Sequence, residues 1–180
     1  MTLAAFAAAV TALFSYPGPQ AVSAAPLLPS APAASPRPRS GLWGLAAETC
    51  RFNLRSKLDR WPPCADPLQI GETAFARPVA GEAGSARRYR YAEGDPGLLQ
   101  VQIDGSAGEA WAYFGFRPMA TDPDGRVIRA RIWPVDCPAR GCRLRTAAEA
   151  LAAARTSEAL AFTGEPDASG RLAVWVRPAP

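Results

Sequence analysis

The sequence predicts a mainly β domain, a single curved antiparallel sheet or partly closed barrel with one α-helix late in the chain. Downstream of residue 41, apolar and polar residues alternate in several short segments, the pattern of half-buried strands. The residues 122–125 combine Asp, Pro and Gly between two such segments, which predicts a tight turn. A capping motif at Thr146 predicts the helix.

The clearest strand contains Leu99, Val101 and Ile103, which alternate with polar residues and should share one buried face. The next segment, 110–116, is apolar on both faces. It is therefore expected to be central, or to lie beneath a second layer. Further strands are predicted at 42–46, 49–53, 68–75, 87–92 and 172–177.

A hairpin is predicted where the turn at 122–125 is followed by a strand at 127–135. Alternation places Ile128, Ala130 and Ile132 on one face of that strand. Arg129 and Arg131 fall on the other face.

The helix is predicted to begin at Thr146, because Thr146 and Glu149 form a capping box. An Ala-rich stretch continues through Ala161, and the largest apolar residues nearby are Leu144, Leu151 and Leu160. This thin apolar stripe predicts a helix that lies across the sheet with one face exposed. The polar residues 156–158 leave open a break into two helices.

Arginine and tyrosine alternate in 87–91, where a strand would place Tyr89 and Tyr91 on one face and Arg88 and Arg90 on the other. Phosphate contacts interleaved with stacking rings, as in nucleic acid binding, are the alternative. Because the 20 basic residues are interspersed with 16 acidic ones, we favour a solvated strand and do not expect a nucleic acid partner.

The N-terminus has the layout of a signal peptide, 1–24. An apolar run at 3–14 precedes helix breakers and the small residues 21–25, which predict cleavage after Ala24 or Ala25. No Lys or Arg lies in the first 36 residues, which departs from that pattern. The apolar run is shorter than the roughly 20 residues that span a bilayer. We expect a periplasmic or secreted protein with no membrane span in the mature form, the alternatives being an uncleaved anchor or an apolar tail.

Domain boundaries follow from composition. Residues 25–40 are rich in Pro, Ala and Ser and are predicted to be a linker. Residues 41–180 are predicted to form a single disulfide-stapled, β-rich domain, a length that can bury a core.

Four cysteines, Cys50, Cys64, Cys137 and Cys142, form an even set, which predicts disulfides outside the cytosol. Three connectivities are possible, and local pairing of Cys50 with Cys64 and of Cys137 with Cys142 is the simplest. A four-thiolate zinc site is the alternative, but it favours two short C-x₂₋₄-C pairs, and only Cys137 and Cys142 come near that spacing, whereas Cys50 and Cys64 do not. We predict no metal and no cofactor.

The chain has no histidine, which excludes Ser-His-Asp triads, Cys-His pairs and histidine metal sites. The carboxylate pairs Asp122 with Asp124 and Glu93 with Asp95 could serve glycoside hydrolysis or calcium binding. Their position in turn sequences favours a structural role instead, so no catalytic residue is predicted.

The segment Gly41-Leu42-Trp43 resembles the G-x-W of lipocalins, whose T-D-Y pattern is absent here. The resemblance implies a small barrel in which Trp43 closes one end and an arginine packs on it, with Arg129, Arg131 and Arg177 as candidates. Exported protease inhibitors of the same barrel type pair an early G-x-W with a nearby disulfide, as Cys50–Cys64 would.

Two segments, 61–65 and 133–137, each place Trp-Pro shortly before a cysteine, and they resemble uncharacterised small exported proteins of bacteria. Taken together, the sequence predicts an exported non-enzymatic binding module for a small apolar ligand or a partner protein. The alternatives are an envelope protein–protein interaction or stress protein and a carboxylate-based hydrolase.

Overall fold

A computed structural model describes residues 21–29, 37–78, 86–105, 108–136, 143–163 and 169–178. Within these ranges the chain forms nine strands and one α-helix, as well as a 3₁₀ turn at Leu58–Arg60. The strands are β1 (Val22–Ser23), β2 (Gly41–Ala46), β3 (Ala65–Ile70), β4 (Ala74–Ala76), β5 (Arg87–Ala92), β6 (Gly97–Gly105), β7 (Gly108–Thr121), β8 (Val127–Pro134) and β9 (Arg171–Arg177). The helix, α1, spans Ala147–Ala161. The mainly β fold with a late helix is therefore confirmed.

Strands β2 to β9 form a closed antiparallel barrel of eight strands. Each strand pairs with the next in sequence, and β9 closes the ring by pairing with β2, for example at Trp43↔Trp175. Strand β4 is short, and it pairs with β5 only at Ala74↔Arg88 and Phe75↔Arg87. The residues of β5 after Tyr89 therefore extend past β4 on that side.

The barrel interior is one apolar core. Tyr91 packs edge-on against Phe116, with ring centroids 5.3 Å apart, and Tyr89, Leu99 and Ile103 pack against the core with partial burial. The predicted inward faces of β5 and β6 are thus confirmed. The buried members are Trp43, Leu45, Leu68, Ile70, Phe75, Tyr91, Val101, Ala112, Phe114, Phe116, Val127, Ala130, Ile132 and Ala173.

A second core lies outside the barrel, where α1 and residues 21–28 cover the outer face of β6, β7 and β8. Its buried members are Ala21, Leu28, Leu98, Tyr113, Val135, Leu144, Ala150 and Ala154. The second layer explains why 110–116 is apolar on both faces, as the sequence predicts.

The residues on both sides of the predicted cleavage site contact the barrel. Strand β1 pairs with β7 at Val22↔Ala112 and Ser23↔Trp111. The amides of Leu27 and Leu28 donate to Gln100 Oε1 at 2.7 and 2.8 Å. Cleavage and the linker boundary stay predictions, but removal of residues 21–24 would remove a strand of the fold.

Strand predictions fail at two places where the local pattern misleads. Residues 49–53 form no strand, since they lie in the loop between β2 and β3 that Cys50 and Cys64 close. The predicted strand 68–75 divides into β3 and β4, because the Gly71 amide donates to the Ala74 carbonyl and turns the chain.

The face predicted for β8 is wrong at one residue. Val127, rather than Ile128, joins Ala130 and Ile132 in the interior. The pairing of β7 with β8 shifts register between Pro118 and Thr121, and such an irregularity moves the alternation by one position.

The helix begins and ends as predicted. Thr146 Oγ1 accepts from the Glu149 amide at 3.1 Å, while the Glu149 carboxylate accepts from the Arg145 amide at 2.7 Å. The break considered at 156–158 does not occur. The hydroxyls of Thr156 and Ser157 donate to carbonyls one turn earlier and so stay within the helix.

Candidate functional site

The loop between β2 and β3 is fastened to the outer face of β2. Cys50 and Cys64 are at disulfide-bonding distance with their Cα atoms 5.9 Å apart, which supports the predicted pairing. Phe52 and Trp61 pack together at 4.9 Å and cover Gly44, where a Cβ would lie 3.1 Å from the Phe52 ring. Cys137 and Cys142 lie outside the described residues.

The segment 37–40 lies at the end of the barrel where β2 and β8 begin. Trp43 Nε1 donates to the Arg39 carbonyl at 2.7 Å, and the Arg39 amide donates to the Val127 carbonyl at 2.9 Å. Trp43 is almost fully buried. Trp43 therefore lies buried at this end of the barrel.

The arginine that packs on a tryptophan at this end of the barrel is Arg39, which is not one of the three candidates that the resemblance implies. Arg39 lies 4.3 Å over the ring of Trp175 and pairs with Asp122 at 2.9 Å. Arg131, one of the three candidates, lies over Phe162 at 4.9 Å instead. No sequence signal connects Arg39 to Trp175, because the contact depends on closure of β9 against β2.

The barrel interior encloses a cavity of about 40 Å³. Its walls are apolar and include Pro38, Phe75, Tyr89, Leu99 and Phe114. Pockets for drug-sized ligands measure about 300–1,000 Å³. The interior as it stands is therefore a packed core with a small residual space.

A larger concave site of about 270 Å³ lies beside β5 and is called the β5 groove here. It lies along the part of β5 that extends past β4. Its lining residues among those described are Arg37, Glu72, Thr73, Arg88, Tyr89, Arg90, Tyr91 and Trp111.

The cations of the β5 groove are held by different partners. Arg88 Nε donates to Gln102 Oε1 at 2.8 Å, and Arg88 also pairs with Glu109 at 3.5 Å, although most of its side chain is exposed. Arg90 Nη1 donates to the Leu28 carbonyl at 2.7 Å and lies 5.6 Å over the Trp111 ring. Of these two arginines, Arg88 therefore has the more exposed side chain.

The acid of the groove is already engaged. Glu72 lies 3.8 Å from Arg37 and 3.4 Å from Arg126, and it accepts from the Ser40 hydroxyl at 3.1 Å. Since three arginines and one glutamate line the groove, its electrostatic balance favours an anion.

Tyr89 lines both the interior cavity and the β5 groove. Its hydroxyl donates to the Gly71 carbonyl at 2.8 Å. Burial, with a smaller contribution from Glu72, raises the pKa of Tyr89 to about 12, so this hydroxyl is neutral at physiological pH. The neutral side chain of Tyr89 thus lies between the interior cavity and the β5 groove.

The predicted carboxylate pairs lie in turns. Asp122 Oδ1 accepts from the amides of Asp124 and Arg126 at 3.0 and 2.9 Å, which confirms its turn role. Asp95 pairs with Arg117 at 2.6 Å, and Arg117 also pairs with Glu158. In the described ranges no group of three or more His, Cys, Asp or Glu residues is placed to hold a metal ion.

Among the described residues, no helix is both long enough and apolar enough to cross a bilayer. Comparison with protein-family models, curated proteins and solved structures finds no match for this chain. The barrel and the β5 groove are therefore the basis for inferring function.

Proposed function

We propose that the protein is an exported, non-enzymatic binding module, and that the β5 groove takes a small, largely apolar ligand that carries an anionic group. The observation that carries the proposal is the position of Tyr89, which lines the groove and the interior cavity at once. A ligand in the groove would thus lie one side chain away from an apolar interior.

Size favours the groove as the first contact. Its volume of about 270 Å³ approaches the lower end of the usual range for ligand pockets, whereas the interior cavity does not. Rotation of Tyr89 breaks one hydrogen bond, to Gly71, and would join the two spaces. The wall beside it is also the weakest part of the barrel, because β4 pairs with β5 through two residues.

The chemistry of the lining sets the ligand class. Trp111 and Tyr89 offer aromatic surface for an apolar body. Arg88 offers an exposed guanidinium that suits a carboxylate, sulfonate or phosphate. Its ion pair with Glu109 is long, at 3.5 Å, and both side chains are largely exposed, so an anionic group of a ligand can compete for this cation and an amphipathic anion fits better than a wholly apolar ligand.

The proposal is tested by calorimetric titration of the folded protein with octanoate, 1-naphthalenesulfonate and uncharged octanol. We expect the two anions to bind at least about tenfold more tightly than octanol, because a charge-assisted hydrogen bond contributes about 1.5–3 kcal/mol. Binding of octanol as tight as that of octanoate would refute the anionic part of the proposal, and no binding of any of the three would refute the groove.

Two variants and a control locate the site. Arg88→Glu should weaken octanoate binding at least about tenfold, and Trp111→Ala should weaken binding of the naphthyl compound. Arg129→Glu makes the same charge change at an exposed residue of β8 and should leave binding unchanged. Equal losses for Arg88→Glu and Arg129→Glu would show that net charge, and not the groove, sets the affinity.

The alternative of an envelope interaction protein predicts an exposed aromatic patch. In the described part of the chain, the exposed large apolar residues are Met119 and Leu160, which lie on β7 and α1. They give no aromatic surface for a partner there, so the ligand-binding function is the better supported of the two.

A further inference from the structure

The loop closed by Cys50 and Cys64 concentrates positive charge. Its basic residues are Arg51, Arg55, Lys57 and Arg60, and its one acidic residue is Asp59. Four cations and one anion give this loop a net charge of +3, compared with +4 for the whole chain. We call these four basic side chains the cationic loop.

All four side chains of the cationic loop belong to exposed residues. Within the described ranges none of them forms an ion pair with a carboxylate, in contrast to Arg39, Arg77, Arg117 and Arg126 of the barrel. Arg51 donates to the Glu48 backbone carbonyl at 2.6 Å, a contact that leaves its charge uncompensated. The loop therefore presents charge outward without a local counterion.

Two hydrogen bonds within the loop hold part of its backbone. The Asn53 side chain accepts from the Arg55 amide at 2.9 Å, and Trp61 Nε1 donates to the Ser56 carbonyl at 3.3 Å. Exposed and half-buried residues alternate from 51 to 59. Phe52 of the half-buried set packs over Gly44 of β2, while the four cations belong to exposed residues on the solvent side.

We propose that the cationic loop docks the protein on the surface of a lipid bilayer that contains anionic headgroups. Basic side chains close to such a surface each gain attraction that extends over about one Debye length. The cations lie on an outward loop surface rather than in a groove, which suits a flat partner. No large apolar residue of the loop is exposed, so the contact is peripheral and electrostatic.

Single-stranded nucleic acid fits this surface less well. It needs aromatic rings on which bases stack beside the cations. Phe52 and Trp61, the aromatic residues of the loop, instead pack on one another and over Gly44. The cationic loop is thus separate in chemistry and location from the β5 groove, and the docking proposal does not depend on the proposed ligand.

The test is co-sedimentation of the folded protein with phosphatidylcholine vesicles that contain or lack phosphatidylglycerol. We expect binding only to the anionic vesicles, and its loss at about 1 M salt, where the Debye length is about 3 Å. Failure to bind anionic vesicles at low salt would overturn the proposal, as would equal binding to both vesicle types. Tighter binding to single-stranded DNA than to anionic vesicles at the same salt would also overturn it.

A matched pair of variants separates the loop from net charge. Replacing all four residues of the cationic loop by Glu should lower vesicle binding by about a hundredfold or more. The control makes the same change in net charge by replacing four exposed arginines of other segments by Glu, namely Arg129, Arg143, Arg145 and Arg177. The control variant should retain most of the vesicle binding. A further variant replaces the same four residues of the cationic loop by Gln, and its circular dichroism is compared with that of the unmodified protein. A native spectrum together with weakened vesicle binding excludes misfolding as the cause. Equal losses in loop and control variants would overturn the proposal.

Discussion

The hydroxyl oxygens of Ser23 and Tyr113 lie 2.5 Å apart in a buried site, although 90 residues separate them in the chain. Ser23 donates its hydroxyl hydrogen to the Ala25 carbonyl at 2.6 Å, so Tyr113 is the donor of the shared bond. This bond ties the N-terminal strand β1 to the outer face of β7. Stability of the fold therefore depends on residues that the predicted leader cleavage would remove.

A chain that begins at Ala21 should be more stable than one that begins at Pro26. The shorter chain lacks β1, including the bond from the Ala21 amide to the Val135 carbonyl and that from the Leu144 amide to the Val22 carbonyl. At about 1 kcal/mol for each lost hydrogen bond, we expect the free energy of unfolding to fall by roughly 2–4 kcal/mol. Urea denaturation of both chains measures the difference.

Tyr113→Phe provides the control for that comparison. It should cost about 1 kcal/mol in the longer chain, where Ser23 loses its donor, and less in the shorter chain, where the hydroxyl keeps only its contact with the Leu27 backbone. The same cost in both chains would show that the Ser23 bond contributes nothing. Mass spectrometry of protein recovered from exporting cells then gives the native N-terminus and tests the leader prediction itself.

Local patterns predicted the parts of the fold that local physics determines. The alternation at Tyr89 and Tyr91 and the cap at Thr146 each depend on residues within one element, and both are confirmed. The sequence left open whether the sheet closes, because closure depends on pairing of β2 with β9 across more than a hundred residues. The interior position of Val127 was missed because a register shift against β7 decides it.

The β5 groove could be predicted only in part. Arg88, Arg90 and the two tyrosines stood out in the sequence because they alternate along one strand. Arg37, Glu72 and Trp111 come from three other segments, and no spacing rule connects them to β5. Trp111 is buried, as expected for the doubly apolar segment 110–116, but its position beneath Arg90 follows from the packing of β5, β6 and β7.

Gly115→Ala should destabilise the protein because Gly115 lies against the ring of Trp133. A Cβ at this residue would collide with that ring, which is fixed by a hydrogen bond from its Nε1 to the Ala154 carbonyl at 2.9 Å. We expect a loss of about 1–3 kcal/mol in the free energy of unfolding, as for other overpacked sites.

Gly44→Ala is the matched control for that substitution, measured by the same urea denaturation. Its Cβ would lie 3.1 Å from Phe52 and 3.3 Å from Trp61, both in a surface loop that can shift. The loss should therefore be smaller than for Gly115→Ala. A larger loss at Gly44 would mean that the loop, and not the helix-covered face, is the stiffer contact.

Replacing Cys50 and Cys64 together by Ser should lower the free energy of unfolding by about 3 kcal/mol, the value for a closed loop of about 15 residues. The barrel itself should stay folded, because the loop lies outside it. Trp61 should become more exposed, which shifts its fluorescence to longer wavelength. Denaturation and fluorescence that match the unmodified protein would contradict a structural role for this disulfide.

Stability should fall in alkaline solution because Tyr89, Tyr91 and Tyr113 are buried or partly buried in the fold and resist ionisation. Burial, assisted by Glu93, raises the pKa of Tyr91 to about 12, and the pKa of Tyr89 is raised to the same value. A tyrosine in the unfolded chain titrates near 10. Between about pH 10 and 12 the unfolded chain therefore loses protons that the folded protein keeps, and each tyrosine lowers stability by up to about 1.4 kcal/mol per pH unit.

Tyr91→Phe isolates the contribution of Tyr91 to this loss of stability. It keeps the ring that packs on Phe116 and removes the group that titrates. Urea denaturation at several values between about pH 9 and 12 should show that the stability of the variant declines with a smaller slope than that of the unmodified protein, because Tyr89 and Tyr113 still contribute. The two proteins should differ by a constant free energy below about pH 9, where the tyrosines are largely protonated in both states. Parallel profiles above pH 10 would mean that Tyr91 ionises in the folded protein as readily as in the unfolded chain.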